Sequence, residues 1–275
     1  MKVSIPHKIH YCWFGGNPLP TLALRCIASW RKFLPDYEII CWNESNLDIR
    51  GCCEYVQEAY ESRKWAFVSD YARFKILYEQ GGVYFDTDVE VIQSVDDIIE
   101  KGPFMGLEKS SNQENISVNP GLGIAANPGL KIYKEILETY QKRHFLQRDG
   151  SLDLTTVVTS TTTLLKKYGL KNQFGIQYVG GIYIYPAAYF CPIDSATHFC
   201  SLSPETRTIH HFSASWWGEQ EKYIFSLRLK LYRFLPVIMA NYAAVLMGTF
   251  KFKGMRGIFT LLWKHLKYHQ YHGSK

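Results

Sequence analysis

Residues 65–91, WAFVSDYARFKILYEQGGVYFDTDVEV, constrain the fold of this chain more tightly than any other stretch. Apolar side chains at Phe67, Tyr71, Phe74 and Tyr78 recur at intervals of four, three and four residues, the spacing of one helical face. Gly81 and Gly82 stop that helix, since glycine enters left-handed backbone conformations without steric penalty. Val83-Tyr84-Phe85 then reads as a short strand, and it delivers two acids, Asp86 and Asp88. A helix that turns directly into a strand is half of a β-α-β unit and commits the chain to layered α/β architecture.

The flanks extend this alternation. KIHYCWF, residues 8–14, is rich in strand formers and stops at GGNPLP. A helical stretch with Leu24, Ile27, Ala28 and Trp30 follows and ends before Pro35, and YEIICW, 37–42, is a second strand. Short strands over 103–108 and 121–126 and a helix near 129–143 continue the pattern, while the β-branched run TTVVTSTTTLL at 155–165 is read as structural. The expectation is one Rossmann-like domain with a mixed, mainly parallel central sheet.

At 275 residues the chain can bury a sizeable single core. Its seven cysteines form no CxxC pair and no Cys/His cluster at zinc spacing, which points to reduced thiols in a cytosolic protein. The N-terminus has no apolar run long enough for a signal peptide. Charge is segregated: from Lys222 onward there are ten Lys and Arg and no Asp or Glu, whereas the preceding residues hold 21 basic and 25 acidic side chains.

Residues i and i+2 of a strand point to one side, so Asp86 and Asp88 can converge beyond its carboxyl end, where open α/β sheets place their ligands. Two such charges call for a cation, and hard divalent ions suit carboxylate oxygens. A solvated Asp-rich turn is the plainer account of the same letters. Asp70 and Arg73, three residues apart, share a helical face, either as a surface ion pair or as a sugar- and phosphate-binding couple.

The run SDYARFKILYEQGGVYFDTDVEV resembles the core of the DxD-containing sugar-transferase family, glycosyltransferase family 32. That family groups bacterial capsule and lipopolysaccharide enzymes with yeast-type mannosyltransferases, and the clostridial glucosylating toxins are more distant. PHKIHYCWFGG and PDYEIICWNE look like its first two strands and HHFSASWW like its C-terminal signature, so the resemblance spans residues 5–217. It implies a GT-A fold, a nucleotide diphosphate sugar donor, Mn²⁺ or Mg²⁺, and transfer with retention. Carried onto this sequence, Asp70 and Arg73 contact the donor sugar, Asp86 bridges ribose, sugar and metal, and Asp88 ligates the metal directly. Trp13 lies against the nucleobase, with Tyr84 and Asn119 near the donor. His211 completes the metal site, with Ser215 as the other candidate at the metal and diphosphate, and Trp216 closes over the donor. Asp194 is an alternative carboxylate.

The basic, aromatic tail is expected to form amphipathic helices on an anionic membrane surface, because FLPVIMANYAAVLMGTF, with a Pro and an Asn inside it, is short for a spanning helix. A helical subdomain packed into the core is the alternative, and nothing marks a nucleic-acid module. The expectation is therefore a catalytic domain over 1–220 and a membrane-associating extension over 221–275. The implied activity is transfer of a hexose, from UDP-galactose or UDP-glucose, to a lipid-linked surface polysaccharide at the inner face of the cell membrane. Rival readings are a GDP-mannose-dependent enzyme, a nucleotide-sugar hydrolase and a non-catalytic nucleotide- or glycan-binding subunit.

Overall fold

The computed structural model describes residues 4–109, 115–213 and 219–272. In chain order these form β1 (Lys8–Cys12), α1 (Thr21–Phe33), β2 (Glu38–Trp42), α2 (Glu54–Glu61), α3 (Trp65–Gln80), β3 (Gly82–Tyr84), β4 (Val89–Val91), α4 (Asp96–Ile99), β5 (Phe104–Glu108), β6 (Ser117–Asn119) and β7 (Ile124–Ala126). There follow α5 (Lys131–Tyr140), α6 (Val157–Lys167), β8 (Gln177–Val179), β9 (Ile182–Tyr185), α7 (Ala187–Phe190), β10 (Thr208–His210), α8 (Glu219–Leu231) and α9 (Val237–His272). The chain divides into two compact units, residues 1–213 and 214–275.

The first unit is built on an eight-stranded sheet in the order β2-β1-β3-β7-β5-β9-β8, with β6 paired to β5. β2, β1, β3, β5 and β9 share one direction, and β7, β6 and β8 run against it, which makes the sheet mixed and mainly parallel as expected. Alternation along each strand sends successive side chains to opposite faces. Ile9, Tyr11, Val83, Phe85, Phe104 and Ala125 pack with Cys26, Ile27 and Trp30 of α1. Cys12, Tyr84, Met105, Ile124 and Ala126 pack instead with α3, α5 and α6. The sheet is thus covered on both sides, and two cores result.

α3 is more deeply buried than its apolar stripe predicts. Val68, Ala72, Arg73, Ile76 and Leu77 are buried along with Phe67, Tyr71 and Phe74, whereas Tyr78 is only half-buried. Its glycine stop is required twice over. Gly81 has φ +66°, and a Cβ there would meet Pro128 Cδ at 2.6 Å; Gly82 has φ +99°, and a Cβ would meet the Lys8 carbonyl at 2.7 Å.

β4 and β10 form a separate antiparallel ribbon, with His210 opposite Val89. α1 holds this ribbon in place: Trp30 Nε1 donates to the Val89 carbonyl at 2.7 Å, and the Val91 N–H donates to Ser29 Oγ at 2.9 Å.

The second unit is a helical hairpin, α8 followed by α9, which is broken at Gly254 with φ +58°. A helical, cation-rich extension is thus present. Among the described residues no helix is long and apolar enough to cross a membrane.

Candidate active site

β3 ends at Tyr84 and β4 begins at Val89, so Asp86-Thr87-Asp88 is a turn between strands of two different sheets, closed by the Val89 N–H on the Asp86 carbonyl at 3.0 Å. The sequence placed both acids on one strand and derived their convergence from its alternation. The structure corrects this: the turn, not the pleat, brings the two carboxylates together.

Arg73 approaches from α3 beneath them. Its Nη2 lies 2.8 Å from Asp70 Oδ1 and 3.3 Å from Asp86 Oδ1, with only 4% of the side chain exposed. The guanidinium rests 4.9 Å above the Tyr84 ring, and the Tyr84 hydroxyl donates to Asp86 Oδ1 at 3.1 Å. Tyr84 is itself fully buried, so its ring supports Arg73 and Asp86 from below and presents no open face. The pair of Asp70 and Arg73 is therefore no surface ion pair. Burial pushes the Asp70 carboxyl up to about 6 against the pull of Arg73, with the like charge of Asp86 adding to the rise. Asp86 is raised as well, first by burial. Burial works against the Arg73 charge, and Asp86, Tyr84 and Asp70 together outweigh it and hold the guanidinium firmly protonated.

Asp88 meets β10. His210 Nε2 is 3.2 Å from Asp88 Oδ1, and the Ser213 N–H donates to Asp88 Oδ2 at 2.8 Å. Burial pushes the Asp88 carboxyl up, but His210 and the Ser213 N–H reverse this and leave it well below the ordinary carboxylate range. Burial likewise opposes charge on His210, and Asp88 more than offsets it. Phe212, at φ +49°, makes the bend that aims Ser213 N at Asp88. A non-glycine residue held in that region marks a place where surrounding structure overrides local preference.

The imidazole brought beside the two carboxylates is thus that of His210, and not that of His211, which the sequence offered as the third metal ligand. On a strand the two must point to opposite faces, and His211 Nε2 turns to Glu90 Oε2 at 2.8 Å. The missed signal was the strand reading of TIH against VEV, whose pairing fixes which histidine faces Asp88. Among the described residues, ligand atoms of Asp86, Asp88 and His210 all lie within 4.8 Å of one another. Two carboxylates and one imidazole are a reasonable donor set for a divalent ion, and His210 Nδ1 is buried with no hydrogen-bond partner.

Asn119 lies at the same edge. Its Oδ1 accepts the Gly121 N–H at 2.7 Å, and its Nδ2 donates to Glu108 Oε2 at 2.8 Å, which leaves one amide N–H for other use. Glu108 and Gly121 were not singled out from the sequence. Trp13 follows β1 at the end of the strand, half-buried, with Nε1 on the Asn17 carbonyl at 2.6 Å. Asp194 is buried in its own turn, with Oδ1 accepting from the Ala196 and Thr197 N–H groups, and is not brought into the cluster of Asp86, Asp88 and His210. Ser215 and Trp216 lie outside the described residues.

Comparison with known proteins gives this arrangement a context. Residues 20–105 match the family model described as a glycosyltransferase sugar-binding region containing a DXD motif. Subversion of eukaryotic traffic protein A from Legionella pneumophila is 25% identical over 114 residues, 32% of this chain and 18% of that protein. Inositol phosphoceramide mannosyltransferase 3 from Schizosaccharomyces pombe is 28% identical over 101 residues, 36% of this chain and 28% of that protein. The chain therefore spans less than a third of either curated relative. Among solved structures, mouse xyloside xylosyltransferase 1 in its apo form is similar at a TM-score of 0.47 and 11% identity, over 76% of this chain and 98% of that one. A glycosyltransferase designated PaToxG is similar at a TM-score of 0.44 and 16% identity, over 59% of this chain and 69% of that one.

Proposed function

We propose, with the match to the DXD sugar-binding region as premise, that this chain is a metal-dependent retaining glycosyltransferase of GT-A fold. The observation that carries the reading is the clustering of Asp86, Asp88 and His210 beside the buried Asp70–Arg73 pair. Solvated acids in an ordinary turn need no such support.

Asp86, Asp88 and His210 would hold Mn²⁺ or Mg²⁺. When bound, such an ion supplies Lewis-acid stabilisation of the charge that develops on a departing nucleoside diphosphate. The other residues bind and orient. Arg73, fixed by two carboxylates and stacked on Tyr84, keeps Asp70 and Asp86 in one arrangement with little freedom to lose when donor arrives. Asp70 is the acceptor for sugar hydroxyls, and the remaining amide N–H of Asn119 is a donor to sugar oxygens. Trp13 offers its indole face to the base, and Ser215 and Trp216 belong to the same donor site. In the transfer, the acceptor oxygen bonds to the anomeric carbon as the sugar–phosphate bond breaks, and the acceptor proton passes to the departing phosphate on the same face.

The donor is a UDP-hexose in this reading, with GDP-mannose as the second choice because two of the curated relatives are named mannosyltransferases. The acceptor is a lipid-linked oligosaccharide of a surface polysaccharide. Residues 1–220 form the catalytic domain, and the tail from 221 keeps it peripheral at the inner face of the membrane, in line with its ten cations and the absence of any acid after Glu221.

The test is nucleotide release from a panel of UDP- and GDP-sugars with Mn²⁺, with and without chelator, for wild type and Asp88→Asn. Release from one donor that chelation and Asp88→Asn both abolish is expected. Release indifferent to both would remove the metal site from the reading.

A further inference from the structure

The second helix of the hairpin, α9, is packed inside out. Ala240, Ala244 and Gly248 recur every fourth residue on α9 and are buried. At Gly248 an added Cβ would lie 2.2 Å from Ile224 of α8, so this seam lets the two helices approach closely. Helical geometry puts the opposite face of α9 half a turn away, and there Ile238, Tyr242, Leu246 and Phe250 also recur every fourth residue. All four are exposed: Ile238 is 71%, Tyr242 61% and Phe250 57% accessible. Phe234, in the turn before α9, is 81% exposed, and beyond the break at Gly254 Met255, Phe259 and Trp263 are exposed as well. Water-soluble hairpins place large apolar groups in the seam and polar groups outside, whereas small residues inside and bulky ones outside suit an apolar surrounding.

Three kinds of partner could cover such a face, and charge chooses among them. Lys251, Lys253 and Arg256 are exposed within the same stretch, and no acid occurs from Lys222 onward. A second copy would bring two strongly cationic surfaces together. Nucleic acid would satisfy the cations and leave the phenylalanines in water. An anionic lipid surface satisfies both, with phosphates for the cations and acyl chains for the apolar row.

We propose that α8 and α9 form an interfacial lipid-binding hairpin. It lies in the plane of an anionic bilayer with Ile238, Tyr242, Leu246 and Phe250 immersed and with Lys251, Lys253 and Arg256 on headgroup phosphates. This deepens the membrane-peripheral part of the reading above and rests on it only for the choice of membrane.

The full chain should be sedimented with vesicles of phosphatidylcholine alone or mixed with phosphatidylglycerol, at low and high salt. Wild type is expected to pellet with the mixed vesicles. The triple variant Ile238→Glu, Tyr242→Glu, Phe250→Glu should lose that binding at least tenfold at both salt levels. Lys251→Gln, Lys253→Gln, Arg256→Gln should instead lose the preference for anionic vesicles. Helix content by circular dichroism and nucleotide release without vesicles should be unchanged in both. Equal pelleting of wild type and the glutamate variant overturns the proposal. So does a wild-type chain that stays in the supernatant as a dimer while the glutamate variant is a monomer, since the face would then belong to a second copy. A wild type that pellets but releases no nucleotide leaves the hairpin standing and removes only the transfer reading.

Discussion

A methyl group on Gly121 would lie 2.2 Å from Asp86 Oδ2 and 3.0 Å from Asn119 Oδ1. The turn before β7 and the carboxylate after β3 fit together only because this residue has no side chain. Gly121→Ala should therefore swing Asp86 out of line. The expected result is nucleotide release reduced about 100-fold, the scale of a misplacement near 1 Å, with a loss of about 1–3 kcal/mol in unfolding free energy from overpacking. Full activity in the alanine variant would show that Asp86 needs no fixed position.

His210 and His211 are neighbours in sequence with different partners, and their alanine variants should separate cleanly. His210→Ala is expected to weaken Mn²⁺ binding, measured by calorimetric titration, and to lower nucleotide release in step. His211→Ala breaks a partly exposed contact with Glu90 and should change stability by no more than about 1 kcal/mol while leaving metal affinity intact. The reverse pattern would move the site to the other face of β10.

Arg73 holds two carboxylates from a position that is 4% exposed. Arg73→Met leaves both without their cation, so unfolding by denaturant should lose about 3–5 kcal/mol. Nucleotide release should vanish even where the variant remains folded. A loss below about 1 kcal/mol would mean that water already screens the pair.

His10 provides a pH dependence remote from catalysis. Trp42 Nε1 can only donate, so His10 Nδ1 accepts at 3.1 Å and Nε2 carries the proton it donates to the Gly81 carbonyl at 2.9 Å. Burial holds this neutral imidazole down to about 4. The unfolded chain binds this proton near pH 6.5 and the folded chain does not. Stability is therefore whole above about 6.5 and declines by about 3 kcal/mol as pH falls towards about 4. Denaturation midpoints of wild type and His10→Gln across that window check this, and parallel curves would refute it.

Much of the first unit was legible because its signals are local. The stripe of α3, the glycine pair and the aromatic strand before Asp86 each follow from spacing within a few residues. The position of His210 depends on which strand β10 joins, over a hundred residues away, and nothing near TIHH states it. Gly121 was passed over for a related reason: its importance is a distance to Asp86, which exists only after β7 has paired with β3. The burial of Arg73 escaped because an arginine three residues after an aspartate is more often on a surface.

The reversal of β7 has a consequence for assembly. Since β7 runs against β3, with Tyr84 opposite Ile124, the entrance of one strand lies beside the exit of the other. The gap around Asp86 is therefore a register mark of the sheet. Slippage by a single residue would put Pro120 or Leu122 where Gly121 must be and would close the space around Asp86, besides turning the strand's faces over. The space around Asp86 thus reports on the pairing of the central strands, since the observed register is the one that sets a residue without a side chain against its carboxylate.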